Sequence, residues 1–157
     1  MSPPNDNKGA AAPPAPSWEL RSHAFRWVLP PGWTDRSIYC FSGTPANEKQ
    51  PALTVTTETV APETDLAAYA TDQLDQLAGQ LLDFELIRTE SRVLVTRPCR
   101  WAQFTWKNAD GVSVKQSQWY LIKGTTALTL TATATAAEYE QFEATFEQAI
   151  KTFTPLG

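Results

Sequence analysis

Histidine occurs once in this chain, at His23, and cysteine twice, at Cys40 and Cys99. One imidazole and two distant thiols offer no metal-ligand spacing and no closely spaced nucleophile–base pair. Glycine occurs only 7 times and never in a cluster, which removes phosphate-binding loops, dinucleotide fingerprints and a GxSxG elbow. No apolar run approaches the roughly 20 residues that cross a bilayer. Basic side chains do not dominate either: 13 against 17 acidic ones, for a net charge of −4. A surface of that sign argues against nucleic acid or an anionic membrane as a partner, and no direct membrane insertion is expected. The N-terminus lacks a basic start followed by an apolar stretch, so no secretory signal is read there and the expected compartment is the cytoplasm. Two free, mostly buried thiols are the expectation for that compartment. With no site for catalysis, no cofactor and no metal in view, a binding protein is expected rather than an enzyme.

What is present is patterned apolar residues in 157 positions, enough for one domain with a real core. Residues 1–17 are rich in proline and alanine and carry almost no large apolar side chain. They read as a disordered tail, and the domain is placed at 18–157. Residues 19–29 form a candidate strand, which contains His23. Ser37–Phe41 alternates, and LTVTTETV at 53–60 is β-branched, as strands prefer. Over 65–82 the period changes: Leu66, Tyr69, Ala70, Gln73, Leu74, Leu77 and Leu81 share one helical face, with Thr64 or Asp65 as cap. Four strand-like runs follow, at 84–95, 99–107, 112–122 and 126–134, joined by short turns that favour an antiparallel meander. A final helix near 136–153 has Tyr139, Phe142, Phe146, Ile150 and Phe153 as its stripe. The fold class expected is α+β, an antiparallel sheet of about six to seven strands packed by two helices.

Some residues resist a core role. Asp72, Asp75, Glu138, Glu140, Glu143 and Glu147 fall off the helical stripes and read as solvated. Trp101 and Trp119 read as core, while Trp106 is undecided. Gln73 sits on an apolar helix stripe, and Gln118 shares a strand face with Val112, Val114, Gln116, Tyr120 and Ile122. An amide without partners in a sealed core is costly, about 1–3 kcal/mol. A groove whose amides meet a partner is the functional reading, and replacing either glutamine by leucine is then expected to keep or raise folding stability. LTVTTET and TLTATAT carry threonines on one side and apolar residues on the other, so one sheet face is expected to be only partly covered.

The runs GWTDRSIYCF, LTVTTE, DLAAYATDQLDQLAGQLLDFEL and VKQSQWYLIKGTTALTLTAT resemble the DcrB-related family, whose fold is shared by Mog1 and PsbP proteins. Within it they are most similar to the Eag-type chaperones of type VI secretion. The resemblance spans roughly residues 20–155. It implies a cytosolic homodimer that binds and shields the N-terminal transmembrane helices of a toxin effector of the PAAR/Rhs type before export. It also implies a client groove lined by Ile38, Cys40, Thr54, Thr56, Gln73, Leu77, Leu81, Val114 and Gln118. Cys40 stands where the family often has a branched aliphatic residue, and Thr54 and Thr56 are more polar than the family wall. A carrier of a small apolar ligand or lipid in the same groove is the competing expectation.

Overall fold

The computed structural model describes residues 19–21, 26–28, 31, 38–42 and 51–156. The tail at 1–17 and His23 lie outside them. Two short antiparallel strands, β1 (Glu19–Arg21) and β2 (Arg26–Val28), pair with Leu20 opposite Trp27. The single strand expected over 19–29 is therefore two. This hairpin belongs to a separate compact unit, Met1–Asp35.

The second unit, Arg36–Gly157, carries a six-stranded antiparallel sheet built from β3 (Ile38–Ser42), β4 (Ala52–Thr59), β5 (Leu82–Leu94), β6 (Arg97–Lys107), β7 (Ser113–Lys123) and β8 (Thr126–Thr135). Its spatial order is β3-β4-β8-β7-β6-β5. Helix α1 (Leu66–Gln80) carries the chain from β4 to the far edge, and the meander β5–β8 walks back until β8 pairs with β4. Helix α2 (Tyr139–Lys151) ends the unit. This is the α+β architecture the sequence predicts, with the first of the seven strands split off into the hairpin.

Local chemistry sets the boundaries. The Asp65 carboxylate accepts from the Ala68 N–H at 2.9 Å, capping α1 as expected. The β6–β7 loop is closed by Asn108, whose Oδ1 accepts from the N–H groups of Asp110 and Val112, and by Gly111 at φ +77°.

Side-chain alternation gives the sheet two different faces. On one, Trp101, Trp119, Leu121, Leu130 and Ala132 pack with Tyr139, Phe146 and Ile150 of α2 into a sealed core. Trp101 and Trp119 are core residues, as predicted. Arg92 lies 3.8 Å from the Trp101 ring centroid and pairs with Glu90 at 2.7 Å and Glu147 at 3.3 Å, tying β5 to α2. Glu147 is thus an ion-pair partner rather than a merely solvated carboxylate, Glu140 pairs with Lys115 at 3.0 Å, and Glu138, where α2 begins, is buried. Asp72, Asp75 and Glu143 are exposed, as expected. On the other face α1 packs on β5, β6 and the Tyr120 end of β7. Its Tyr69 and Ala70 pack with Ala102, Tyr120 and Ala127.

Candidate functional site

Beside α1, the face it only half covers collects most of the residues singled out from the sequence. In register, Ile38 faces Thr56 and Cys40 faces Thr54. Thr54 faces Thr131, and Thr56 faces Thr129. Thr131 faces Gln118, and Thr129 faces Tyr120. Two cross-sheet rows result, Cys40–Thr54–Thr131–Gln118 and Ile38–Thr56–Thr129–Tyr120, all on one face. Thr54, Thr56, Thr129 and Thr131 fall on this side because β4 over 53–56 and β8 over 128–135 alternate threonine with apolar residues and pair without a bulge.

Ile38 is 66% exposed on the edge strand β3. Cys40 is exposed and Cys99 buried. The expectation that both thiols are mostly buried is therefore corrected for Cys40, because β3 is an outer strand with a partner on one side only. Cys99 lies on the opposite face, in the core with Trp101, so this register offers no bridge between the two thiols. Burial pushes the Cys99 thiol up, against a smaller pull from Arg92.

Gln73, Leu77 and Leu81 are half-buried. The first two lie one turn apart on α1, and Leu81 caps its end. Gln73 lines a recess of about 220 Å³ together with Ile38, Thr56, Glu58, Tyr69 and Thr129. Glu58 accepts from the Tyr69 hydroxyl at 2.6 Å, and the Gln73 amide stands 3.5 Å from the same oxygen. Burial, then the Glu58 carboxylate, raises the Tyr69 phenol above its ordinary value. Val114 shares the face but is buried at the far end of β7, opposite Trp106. It serves as floor rather than as exposed wall.

Gln118 is half-buried and its polar atoms are engaged. Its Oε1 accepts from the Tyr120 hydroxyl, and its Nε2 donates to Thr131 Oγ1 at 3.1 Å. Gln116, two residues earlier, repeats the arrangement. Its Oε1 accepts from Trp106 Nε1 at 2.8 Å, and its Nε2 donates to Thr133 Oγ1 at 2.8 Å. Gln116, only a neighbour of Gln118 by its sequence position, and Trp106, undecided by its own, are joined by this bond.

Among the described residues no three histidine, cysteine or carboxylate side chains cluster as a metal site, and no described helix is long and apolar enough to cross a membrane.

Comparison with known proteins agrees with this geometry. The model of the DcrB family matches residues 26–152. Among solved structures, the chain is similar to PA94 of Pseudomonas aeruginosa, a protein of unknown function and candidate regulator, with a TM-score of 0.76 at 20% identity over 90% of this chain and 98% of that one. LpqN of Mycobacterium tuberculosis, involved in cell envelope biogenesis, aligns with a TM-score of 0.55 at 13% identity over 79% and 88% of the two chains. The cyanobacterial PsbP of Synechocystis sp. PCC 6803 aligns with a TM-score of 0.55 at 12% identity over 96% and 98%. The fold is thus the Mog1/PsbP-like one. No curated protein matches the sequence.

Proposed function

We propose that this chain, which belongs to the DcrB family, is a chaperone or adaptor that shields the N-terminal transmembrane helices of a type VI secretion effector in the cytoplasm before export. The carrying observation is the single sheet face that joins exposed Ile38 and Cys40, the threonine rows of β4 and β8, and Gln118 beside an α1 flank bearing Gln73 and Leu77. A bare transmembrane helix exposes apolar surface that aggregates unless covered. Once water is excluded, its small residues and exposed carbonyls need donors. A wall of methyl-bearing threonines with a few amides meets both needs without the desolvation cost of a charge.

A homodimer would widen this groove. The outer strands β3 and β5 end the sheet, and such edges are templates for a second chain. Strand β5 is 13 residues long and exposes Leu86, Ile87 and Val93. A small apolar ligand or lipid fits the same face less well. The recess at Gln73 is polar-lined and, at about 220 Å³, smaller than the roughly 300–1,000 Å³ of ordinary ligand pockets.

The test is co-expression with the N-terminal segment of a PAAR/Rhs-type effector. Wild type should keep the segment soluble and co-purify with it, and light scattering of the free protein should give about twice 17.4 kDa. Ile38→Asp should lose capture by about tenfold or more while melting normally, since a charge is set against an apolar helix. A segment that stays insoluble beside folded wild type defeats the reading.

A further inference from the structure

The two strand glutamines are arranged as a pair, and one partner in each arrangement is aromatic. Trp106 Nε1 can only donate, so the Gln116 atom 2.8 Å from it is the carbonyl oxygen. The amide NH2 is thereby turned towards β8, where it meets Thr133 Oγ1 at 2.8 Å. Gln118 is turned the same way, with the Tyr120 hydroxyl on its oxygen and Thr131 on its nitrogen. Among the described residues each NH2 gives one of its two hydrogens to a threonine, which leaves one per glutamine. Both side chains are half-buried rather than sealed. Two residues of strand separate them, a spacing of about 6.8 Å.

We infer that Gln116 is a second client-binding donor beside Gln118, that Trp106 is the positioning residue that aims it, and that the pair selects a helix with small or hydroxylated residues at i and i+4. This deepens the proposed function and rests on that reading. Four residues of α-helix rise about 6 Å, close to the rung spacing on β7, whereas three rise about 4.5 Å. A helix lying along β7 can therefore present two acceptors on one side, one to each amide. Those acceptors are serine or threonine hydroxyls, or backbone carbonyls uncovered by glycine, alanine or serine. A helix of leucine alone screens its carbonyls and offers the amides nothing. In this arrangement Trp106, undecided from its sequence position, fixes which end of Gln116 points at the client.

The experiment uses the full chain and labelled synthetic helices of about 20 leucines flanked by lysine, a length set by the span of a bilayer. One probe carries serine at i and i+4, a second carries serine at i and i+2, on divergent sides of the helix, and a third carries none. Wild type should prefer the i,i+4 probe over the all-leucine probe by about tenfold, the factor one or two net hydrogen bonds supply. The i,i+2 probe should show little of that preference. Trp106→Phe and Gln116→Met should each cut the ratio of i,i+4 to all-leucine binding to about threefold, a ratio that loss of packing alone would not move. If Trp106→Phe fails to fold, Gln116→Met carries the test. Folded variants that keep the wild-type preference, or wild type that does not separate the i,i+4 and i,i+2 probes, overturn the paired-donor inference while leaving helix shielding in place. Binding of none of the three probes by wild type overturns both.

Discussion

The two faces of the sheet are made from the same strands and yet do opposite work. Along β8, Leu130, Ala132 and Ala134 meet α2 in a sealed core, while Thr129, Thr131 and Thr133 look the other way, toward Gln116, Gln118 and Tyr120. On the sealed side the polar groups are few and most are tied down, although the buried Trp101 Nε1 has no partner among the described residues. Ser117 and the Tyr139 hydroxyl lie 2.5 Å apart, and the Gln103 amide donates to Ser117 at 3.2 Å. On the other side amides and hydroxyls recur on neighbouring strands. A sealed face concentrates folding energy; an amide-bearing, half-covered face spends little of it and retains donors for a partner.

The largest break in that contrast should come from the sealed face. Phe146 is buried against Tyr139 and Phe142, with ring centroids 5.5 and 6.2 Å away. Phe146→Ala should cost about 3–5 kcal/mol, the range for a buried aromatic whose cavity collapses only partly. Urea unfolding at neutral pH measures this. A loss below about 1 kcal/mol would mean that α2 is not seated as described.

Alkaline pH probes both faces at once. Burial raises the phenols of Tyr120 and Tyr139 above their ordinary value, with Tyr69 adding to the effect at Tyr120. Unfolded phenols ionise near pH 10. Above that pH the native chain holds more protons than the unfolded one, so stability must fall as pH rises. The contribution is complete below about pH 10 and is lost as pH climbs through the raised native values. Urea midpoints between pH 8 and 11 should therefore drop at the top of the range. Tyr120→Phe and Tyr139→Phe should each flatten the slope, whatever they do to the level. An unchanged slope in both variants assigns the loss to other groups.

Much of this is legible in the amino-acid sequence. The stripe Tyr139–Phe142–Phe146–Ile150 gives α2, the Asp65 cap gives the start of α1, and the one-sided threonines of β4 and β8 give the open face. The amide network could have been followed further. The turn at Gly124-Thr125 pairs Lys123 with Thr126, and counting back from it places Gln118 opposite Thr131. The loop at 108–111 likewise sets Trp106 opposite Val114, diagonal to Gln116. Other features carried no signal. Val95 and Thr96 form the two-residue β5–β6 turn at φ +47° and +64°. β-branched residues rarely adopt that region, and the turn it serves favours asparagine and glycine. The burial of Glu138 likewise depends on how α2 meets the sheet, which helical spacing does not report.

The smallest effect is also the sharpest comparison, because it sets the two groove glutamines against each other. Spacing alone predicts that leucine at either position keeps or raises stability, and the structure separates them. At Gln118, leucine removes the acceptor of the Tyr120 hydroxyl, whose side chain is buried, and the donor to Thr131. Stranding such a group costs about 1–3 kcal/mol, so Gln118→Leu should be destabilising by an amount near the low end of that range after the added apolar contact is counted. At Gln73 the one described contact is a 3.5 Å approach to Glu58, at the outer limit of a hydrogen bond. Glu58 keeps its 2.6 Å bond from Tyr69 without it. Leucine there extends the flank formed with Leu77 and loses almost nothing, so Gln73→Leu should melt within about 0.5 kcal/mol of wild type, as surface changes do. Capture of the client segment should nevertheless weaken, because an amide that lines the recess is gone. Thermal melts and pull-downs on the same preparations decide it. A Gln73→Leu protein that melts normally and captures fully removes Gln73 from the groove, and one that melts as early as Gln118→Leu makes the Gln73–Glu58 contact part of the fold.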